Sequence, residues 1–437
     1  MLSPANNMGR PEDYGAIPNG VTNCAAAINA CILATNSCEF SDGTYIIGSP
    51  SMTTFAESTI SFGWTPAQRD GVTFTGTGKT VLKLADGLCA NPSFAINGYE
   101  YRILQAIAEG GDGRVNIRNI RISGITFDGN YNGVNNNPAY PRLTTAGIST
   151  FGDNTVIENC VFQNFNVGSA NATSFVIISM LSTNSANNAQ GATVRNCSFK
   201  QPGRVSSYTY PGSPEQVVYI QVGGSLNVSK IASGCVVSGN TIRGDVNTTD
   251  QLMPLAGVSI ANTIGAKITG NNFDTYEGKC IYIDTGTNYQ PLFSGNSALD
   301  VPNFVSLTTQ NYGRIYGPAF AIWNAQHNTP QFTGNTVRMK GPWNWNPALY
   351  AAWPAIFFAY VLDRDLDLTF PWFKGITFKD NNVDIPADAV QTRNLGGYWP
   401  PLSSFQSGIP FGPVPPEPVA AQIFFFSPAA VAWREFP

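Results

Sequence analysis

The stretch AKITGNNFDT, residues 266 to 275, alternates apolar and polar residues on both sides of a Gly-Asn pair. Alternation with a period of two residues is typical of a β-strand, and Gly-Asn favours a tight bend. Seven further segments carry Asn or Gly-Asn at the same place: IRNIRISGITFDGN (117–130), TVIENCVFQN (155–164), TVRNCSFK (193–200), CVVSGNTIRG (235–244), PLFSGNSALD (291–300), PQFTGNTVRM (330–339) and GITFKDNNVDI (375–385). The chain therefore contains a repeated strand–bend–strand unit.

A second kind of strand lies between these copies. Its members are rich in β-branched and aromatic residues: GISTF (147–151), FVIISM (175–180), QVVYIQV (216–222), GVSIAN (257–262), CIYIDT (280–285), FAIWNA (320–325) and IFFAYVL (356–362). The markers of the repeat are Asn159, Asn196, Asn240, Asn271, Asn296, Asn335 and Asn381. Their spacing varies but does not fall below 25 residues, which is typical of a solenoid coil with loop insertions.

This pattern predicts an all-β fold, a right-handed parallel β-helix whose coils stack in register about 4.8 Å apart. We expect inward side chains to form apolar ladders, one of which contains Ile157, Val194, Val236 and Ile268. Asn tolerates the left-handed conformation of a sharp bend, and stacked copies can hydrogen-bond to one another. The Asn series is therefore predicted to make turns.

The eight cysteines form no Cys-x-x-Cys pair, which argues against zinc and thioredoxin-like sites. Cys160 and Cys197 each follow a marker Asn, so an inward ladder of thiols is expected instead of a disulfide. The cysteines are predicted to be buried and reduced, as in a protein that assembles in the cytosol.

The clearest helix pattern lies in DYGAIPNGVTNCAAAINACI, residues 13 to 32. An apolar stripe at helical spacing is formed by Ala27, Ile28, Cys31 and Ile32. The pattern predicts a helix from Ala25 to about Asn36, with Thr22 or Asn23 as its N-cap. Because the first coil of a solenoid has an unpaired edge and an open apolar end, we expect this helix to cover it.

The same 20 residues resemble the opening signature of the pectate-lyase-like superfamily, which is common in phage tailspikes and related polysaccharide-active proteins. The matching positions are Tyr14, Gly15, Ala16, Gly20, Val21, Thr22, Ala26, Ala27 and Ile28. Segments 40–50 and 71–84 are similar to that family's next strand and first full coil. Asn19 and Asn23 stand where the family has Asp, and those acids look structural. The resemblance implies a β-helix that acts on or binds a polysaccharide.

Charged residues make up 12% of the chain and the net charge is −4, with no basic stripe. A nucleic-acid partner is therefore not expected, and no apolar run has the length of a membrane span. The N-terminal residues lack the pattern of a secretory signal peptide. Together with the resemblance, these observations predict a virion tail or extracellular location reached without a recognisable signal.

Two features that suggest a catalytic or binding motif do not fit one. In GTGKT (76–80) the first Gly of a phosphate-binding loop would fall at Thr73, and the flanks indicate strands. His327 is the only histidine and is predicted in a polar turn, so a Ser-His-Asp triad or a multi-histidine metal site is not expected. The motifs of the polygalacturonase branch are absent from the chain.

Carboxylates are the remaining candidates for chemistry, because glycoside hydrolysis uses two of them about 5 to 9.5 Å apart. In VLDRDLDLTF (361–370), an extended chain places Asp363, Asp365 and Asp367 on one side, where like charges oppose simultaneous ionisation. Asp363 and Asp365 are the first catalytic candidates. The alternatives are a polar strand face and a cation site.

A second group of candidates comes from aligning the strands of the second kind. The alignment stacks Gln221, Ala261, Asp284 and Asn324 at one outward position. Asp284 is a further catalytic candidate, as is Glu277, which lies just before the same strand. Gln221 and Asn324 are substrate-binding candidates, and each acid taken singly is also typical of a solvated surface.

The insertion at 340–358 is rich in tryptophan. Trp343, Trp345 and Trp353, followed by Trp372, are predicted to bind substrate, because indole faces stack against sugar C–H groups. A subunit interface is an equally good interpretation of this composition.

The tail changes character after Asp388. Residues 386–437 are predicted to form an irregular Pro-rich C-terminal cap or oligomerisation segment, in which QIFFF (422–426) is a strand. The remaining residues are divided into an N-terminal cap, 1–50, and the β-helix, 51–385. The tailspike resemblance favours a homotrimer, with other virion tail proteins as further partners.

Three functions stay open at this point. The first is a tailspike-like protein that binds and cleaves a host surface polysaccharide by paired carboxylates without a cofactor. The second is a non-catalytic β-helical attachment protein that binds glycan. The third is a cellular polysaccharide lyase, which would use Ca²⁺ held by carboxylates and an Arg or Lys base.

Overall fold

The structure is a computed structural model that describes residues 8–63, 70–88, 91, 93, 100–106, 117–134, 144–151, 153–165, 173–180, 191–201, 216–224, 232–244, 253–274, 279–283, 286–301, 320–323, 325–328, 330–339, 358–361, 373–374, 377–384 and 423–426. Its helices are two short 3-10 helices, Pro11–Tyr14 and Phe55–Glu57, and two α-helices, α1 (Ala25–Thr35) and α2 (Tyr131–Val134).

The strands of residues 1–224 are β1 (Asn19–Asn23), β2 (Ser37–Glu39), β3 (Gly43–Ile47), β4 (Ile60–Phe62), β5 (Thr73–Leu84), β6 (Glu100–Ala106), β7 (Arg121–Asp128), β8 (Thr144–Phe151), β9 (Val156–Glu158), β10 (Val161–Gln163), β11 (Thr173–Met180), β12 (Thr193–Arg195), β13 (Ser198–Gln201) and β14 (Gln216–Gly224).

The strands that follow are β15 (Ala232–Ser233), β16 (Val236–Ser238), β17 (Thr241–Gly244), β18 (Met253–Ala261), β19 (Thr263–Ile264), β20 (Lys267–Thr269), β21 (Asn272–Asp274), β22 (Lys279–Ile283), β23 (Gly286–Tyr289), β24 (Leu292–Ser294), β25 (Ser297–Val301), β26 (Phe320–Trp323), β27 (Ala325–Asn328), β28 (Gln331–Thr333), β29 (Thr336–Met339), β30 (Phe358–Val361), β31 (Phe373–Lys374), β32 (Thr377–Lys379), β33 (Asn382–Asp384) and β34 (Ile423–Phe426).

The chain divides into two units, residues 1–222 and 223–437. In the first unit, β9 pairs in parallel with β7 and β12, β10 pairs with β7 and β13, and β8 pairs with β6 and β11. In the second unit, four such parallel series recur with a period of four strands, so that β20, for example, lies between β16 and β24. This arrangement is the predicted right-handed parallel β-helix.

The repeat segments point one residue of each strand into the core, as their alternation predicts. Ile157 lies opposite Val194 in the first unit, and Val237 lies opposite Ile268 in the second, all of them fully buried. The prediction of Val236 as the inward residue was wrong by one position. Val236 lies opposite Lys267 and is half-buried, whereas the adjacent Val237 takes the inward place, because either of two neighbouring valines fits the alternation of the sequence.

A residue in the left-handed conformation makes the bend of each repeat copy; it lies within β7 in the first copy and between two strands in the others. In the first unit this residue is Gly124, Asn159 or Asn196, with φ of 68°, 54° and 54°. In the second unit it is Gly239, Gly270, Gly295, Gly334 or Asp380, with φ between 54° and 64°. The marker series therefore combines two positions: Asn159 and Asn196 make the bend, whereas Asn240 and the later markers follow it.

The later markers form a buried amide ladder. Asn240, Asn271, Asn296 and Asn335 are at most 3% exposed. In each, the backbone N–H and the side-chain Nδ2 both donate to Oδ1 of the next Asn, at 2.9–3.1 Å, as far as Asn381. From Asn271 onward the Nδ2 also donates to a carbonyl of the preceding coil at 2.8–3.0 Å. The predicted hydrogen bonding between stacked Asn residues is confirmed here.

Helix α1 covers the first coil. Ile28, Cys31 and Ile32 are fully buried against β2, β4 and the two 3-10 helices, and Asn36 ends the helix with φ of 61°. Asn29 Nδ2 donates to the carbonyls of Ala56 and Thr59, each at 3.0 Å. The predicted capping helix and its bounds are confirmed.

The N-cap of α1 is Cys24, so the prediction of Thr22 or Asn23 was wrong by one or two residues. Asn23 still accepts the first helical N–H, from Ala25 at 3.1 Å, and it also accepts Gly48 N–H at 3.0 Å. Asn19 accepts the N–H groups of Val21 and Thr22, each at 2.9 Å. Both Asn residues thus fill the structural role expected of the acids that they replace.

The six cysteines whose side chains the structure describes are buried and form no disulfide with one another: Cys24, Cys31, Cys38, Cys160, Cys197 and Cys235. Cys160 and Cys197 occupy equivalent inward positions, with Sγ 3.9 Å from Ile122 O and 3.8 Å from Ile157 O. The inward thiol ladder is therefore confirmed. Cys89 lies outside the described residues, as does the side chain of Cys280.

Two further predictions can be compared with the strands. GTGKT lies within β5, whose register shifts between Thr75 and Thr80 around Gly78, so the strand–turn–strand interpretation is confirmed. His327 lies in β27 opposite Asn288, so the prediction of a turn was wrong.

The aromatic segment of the tail forms β34, which pairs in parallel with β30 of the same chain, Phe358 opposite Ile423. The rest of the predicted Pro-rich cap, 386–422 and 427–437, lies outside the described residues. The boundaries of the cap and of the other predicted regions stay predictions.

Candidate functional site

Most of the predicted site residues lie outside the part of the chain that the structure describes. These are the carboxylates Asp363, Asp365, Asp284 and Glu277, the tryptophans Trp343, Trp345, Trp353 and Trp372, and Asn324. Gln221 is the described member of the set. It is half-buried in β14, between the buried side chains of Ile220 and Val222, and its role in binding stays a prediction.

Three other polar side chains of this strand series are buried. In the first unit Gln105 is 4% exposed and lies opposite Ser61, which is 6% exposed. In the second unit Ser259, outward between the buried Val258 and Ile260, is 2% exposed. Among these residues Gln221 is therefore the most accessible.

The strand register corrects the alignment that defined the outward stack. Pairing Asp284 with Asn324 requires Ile283 to lie opposite Trp323. In the structure Ile283 lies opposite Ile322 instead, one residue earlier. The alignment of Ala261 with Asp284 is compatible with the observed pair Ile260–Ile283. Sequence similarity between IYID and AIWN concealed the offset, because the two strands share their apolar alternation.

The same register brings the C-terminal ends of β22, β26 and β30 to one place, which we call the three-strand edge (Ile283, Trp323 and Val361). Ile283 lies opposite Ile322, Ile322 opposite Tyr360, and Trp323 opposite Val361. Neighbouring parallel strands are about 4.8 Å apart. In the sequence, Asp284 and Asn324 directly follow two of these ends, and Asp363 is the second residue after the third.

A carboxylate cluster that the sequence interpretation missed lies at the ends of β5, β7 and β10. Asp128 is 9% exposed and accepts hydrogen bonds from Asn130 N–H at 2.8 Å, Gln163 Nε2 at 3.0 Å and Asn164 Nδ2 at 3.2 Å. Asn130 Nδ2 also donates to Asp86 Oδ1 at 2.6 Å. The sequence signal for this cluster is the occurrence of FDGN (127–130) and FQNF (162–165) at equivalent places in two repeats.

This cluster is a clamp on the turn and not an acid–base pair. Every described donor to Asp128 is a neutral amide, and Asn130 N–H and Asn130 Nδ2 belong to a bend with φ of 50°. A carboxylate held in this way fixes the backbone of the corner.

Charged side chains on the outer surface pair between adjacent coils. Arg195 lies against Glu158 Oε2 with its Nε at 2.7 Å and its Nη2 at 2.5 Å. Arg118 Nε lies 3.0 Å from Asp70 Oδ2. Arg243 and Asp274 are 4.0 Å apart. Such partly exposed pairs contribute little energy but favour the correct stacking of coils.

Within the described ranges, no three His, Cys, Asp or Glu side chains are grouped so that they could bind a metal ion. The helices in those ranges include none that is both long and apolar enough to cross a membrane.

No protein-family model matches the chain, and no curated protein matches it in sequence. Solved structures do resemble it. A surface adhesin of Streptococcus pneumoniae, PfbA, is 12% identical with a TM-score of 0.43, over 87% of this chain and 89% of the adhesin. An exopolygalacturonase from Thermotoga maritima is 12% identical with a TM-score of 0.39, over 87% and 92% of the two chains. The tailspike of Acinetobacter baumannii phage AM24 is 12% identical with a TM-score of 0.34, over 91% and 57%.

The likeness is one of fold. These structures are pectate-lyase-like β-helix proteins, and what they share with this chain is the fold. Their activities differ, and identities of 12% with TM-scores below 0.5 transfer none of them to this chain.

Proposed function

We propose that this protein is a tailspike-like, polysaccharide-binding β-helix protein that cleaves a host surface polysaccharide at the three-strand edge. The observation that supports this proposal best is the register at that edge. In the sequence, three candidate residues, Asp284, Asn324 and Asp363, come just after strand ends that the register brings together.

The spacing of the strands suits the chemistry. Carboxylates on adjacent coils start from backbones about 4.8 Å apart, and alternate residues of one strand are about 6.6 Å apart. Retaining glycosidases hold their two carboxyls about 5 to 5.5 Å apart and inverting ones about 6.5 to 9.5 Å. Asp363 and Asp365, as alternate residues of an extended segment, would provide the second spacing. Asp284 follows β22, which is two strands from β30 and so about 9.6 Å away, and its side chain would have to reach across β26.

The surroundings in the sequence suit a sugar. The insertion 340–357, with Trp343, Trp345 and Trp353, joins β29 to β30, the short strand whose C-terminal end belongs to the three-strand edge. Indole rings bury the C–H faces of sugars, while small uncharged polar side chains bind hydroxyl groups. The low content of charged residues, 12%, favours a ligand recognised by hydrogen bonds and stacking.

The test is incubation of the full chain with a panel of bacterial capsule and O-antigen polysaccharides, together with pectate and alginate. New reducing ends would be quantified and the products sized by mass spectrometry. We expect cleavage of one polymer, with loss of at least a hundredfold in rate in Asp363→Asn or Asp284→Asn while binding to immobilised polymer persists. Glu39→Gln, which removes an exposed carboxylate from β2, is the matched control and should leave the rate unchanged.

Other outcomes separate the alternatives. Binding without cleavage by the wild-type chain would support the attachment protein, and unsaturated products would support the lyase with Ca²⁺. Retained cleavage in Asp284→Asn, Asp363→Asn and Asp365→Asn would overturn the proposed site. Light scattering tests the homotrimer: a mass of one chain would contradict the tailspike interpretation.

A further inference from the structure

Two buried thiols lie between the capping helix and the first coil. Cys31 is on α1 and Cys38 is on β2, with exposures of 0% and 1%. Cys31 Sγ lies 3.5 Å from the carbonyl oxygen of Ser37, the neighbour of Cys38. Cys38 Sγ lies 3.9 Å from the carbonyl oxygen of Ile28, one turn before Cys31. Both sulfur atoms therefore occupy the same seam between helix and strand.

The N-terminal arm, residues 8–15, closes this seam. Glu39 N–H donates to Gly9 O at 2.9 Å, and a Cβ added to Gly9 would lie 2.7 Å from Cys31 Sγ. Glycine is therefore needed at this place for the arm to pass over the thiol. The arm is held further on by Glu12, whose Oε1 accepts hydrogen bonds from the Tyr45 hydroxyl and from Ser41 N–H.

Opening the arm exposes polar atoms that lack partners when it is closed. Glu12 Oε2 and Ser37 Oγ are buried and have no hydrogen-bond partner. Because Glu12 belongs to the arm, water can satisfy its Oε2 once the arm lifts, so local opening costs less than the burial of the arm suggests. The seam is thus a part of the core that can be reached without global unfolding.

The two thiols are electronically unequal. The hydrogen bond from the Cys38 thiol lowers the pKa of Cys31, whereas the same contact, together with burial, raises the pKa of Cys38. Cys31 is therefore the better thiolate of the two and Cys38 holds the proton.

We propose that Cys31 and Cys38 are an oxidisable dithiol whose disulfide locks α1 onto β2, and that the N-terminal arm controls access to it. The oxidant is a small disulfide such as glutathione disulfide. The Cys31 thiolate attacks one sulfur of the oxidant, forms a mixed disulfide and releases one thiolate. Cys38 then loses its proton, attacks Cys31 Sγ and releases the second thiolate. Two protein thiols are oxidised and one disulfide is reduced to two thiols.

The chain contains its own control pair. Cys160 and Cys197 are also adjacent and buried, at 1% and 2% exposure, but they lie in the inner ladder and no arm covers them in the described residues. Burial raises the pKa of Cys160. This pair should react only when the coils themselves unfold.

The test is to incubate the folded full chain with glutathione disulfide, alkylate the remaining thiols and map the peptides by mass spectrometry. We expect a Cys31–Cys38 cross-link while Cys160 and Cys197 are still alkylated as free thiols, and a higher unfolding temperature of the oxidised protein. Tyr45→Phe, which frees the arm without touching the thiols, should accelerate the cross-link about fivefold, as expected for the loss of one hydrogen bond of about 1 kcal/mol.

A second variant traps the intermediate. Cys38→Ser should stop at the mixed disulfide, so that Cys31 carries one glutathione. The proposal is overturned if the folded wild-type chain forms no Cys31–Cys38 link. It is also overturned if the two pairs react at equal rates, because oxidation would then follow global unfolding, or if Tyr45→Phe leaves the rate unchanged.

Discussion

The corner of the coil is built with two different chemistries in the two units of the molecule. In residues 1–222 the left-handed position is taken by Asn159 and Asn196, and the next inward residue is a cysteine. In residues 223–437 a glycine usually makes the bend and the next inward residue is a buried Asn. The backbone bend is the same, with φ of 54° in the first case and 62–64° at the glycines of the second.

The difference teaches how a buried polar group can be made stable by repetition. A buried amide is costly unless its donors and acceptor are all satisfied. In the second unit each Asn supplies the acceptor that its neighbour needs, so the ladder satisfies itself only as a series. In the first unit the thiols make no such demand. Stacked aromatic rings occur in both units, as Phe127, Phe162 and Phe199 in the first and as Phe293 and Phe332 in the second.

The largest effect is expected from the aromatic stack. Phe162 is fully buried, with ring centroids 5.0 Å from Phe127 and 4.8 Å from Phe199. Phe162→Ala should lower the free energy of unfolding by about 4 kcal/mol, because it removes a large buried surface and leaves a cavity. Chemical denaturation measures the change. Phe162→Leu, the matched control, should cost much less, and an equal cost would show that stacking and not volume matters.

The amide ladder should be nearly as sensitive. Asn296→Ala leaves the N–H and Nδ2 of Asn271 without their acceptor and removes a donor to Asn335. Because several buried groups lose partners together, we expect a loss of about 3 kcal/mol in the free energy of unfolding.

The matched substitution in the first unit is Cys197→Ala, which should cost about 1 kcal/mol because it removes one small buried atom. If the denaturation midpoints of Asn296→Ala and Cys197→Ala fall equally, the ladder is only space-filling and the contrast between the units fails.

The bend itself should respond to backbone conformation alone. Gly295 has φ of 62°, and a Cβ added there would meet nothing within 4 Å. Gly295→Ala should therefore cost about 1 kcal/mol through left-handed strain. Gly295→Asn should recover most of this loss, since the first unit uses Asn at the same place. Thermal unfolding of the two variants makes the comparison, and a larger loss for Asn would show that the corners are not equivalent.

The smallest effect concerns the arm of the first unit. Burial acts to raise the pKa of Glu12, but hydrogen bonds from Tyr45 and Ser41 outweigh it and leave this pKa below the usual value. A carboxyl whose pKa is lower in the folded state stabilises that state above its unfolded pKa of about 4.3, and this stabilisation is lost as the pH falls through the folded value.

The Glu39 amide donates a hydrogen bond to Gly9 O in the arm, so its rate of hydrogen exchange measures how often the arm opens. After correction for intrinsic exchange, its protection should fall on acidification in the wild-type chain. In Glu12→Gln the protection should be lower at neutral pH and nearly independent of pH in this range. Equal acid sensitivity in both proteins would show that Glu12 does not control the arm.

Much of the fold was predictable because a solenoid repeats its local pattern. The period-two alternation identified the strands, and the Gly-Asn pairs identified the corners. The helix was predicted from its apolar stripe and ends as expected near Asn36. Two of the errors were single-residue offsets, at Val236 and Asn324, where one apolar residue could replace its neighbour in an alignment without breaking the alternation.

The site was less predictable, because its residues follow the strands instead of forming part of their pattern. The sequence proposed acids such as Asp284 and Asp363 from their type and neighbours, and these stay predictions. The clamp around Asp128 was missed because its partners Asn130 and Gln163 come from the ends of strands in two different coils, and their meeting depends on the register of those coils.

The sequence by itself determined the class of fold, the capping helix, the inward thiols and the tendency of Asn to stack, because all of these depend on residue type at a local period. Only the tertiary structure decided which residue of each pair faces inward and which strand ends meet. A shift of one residue exchanges the two faces of a strand, and that choice is fixed by the burial and hydrogen bonding of the neighbouring coils.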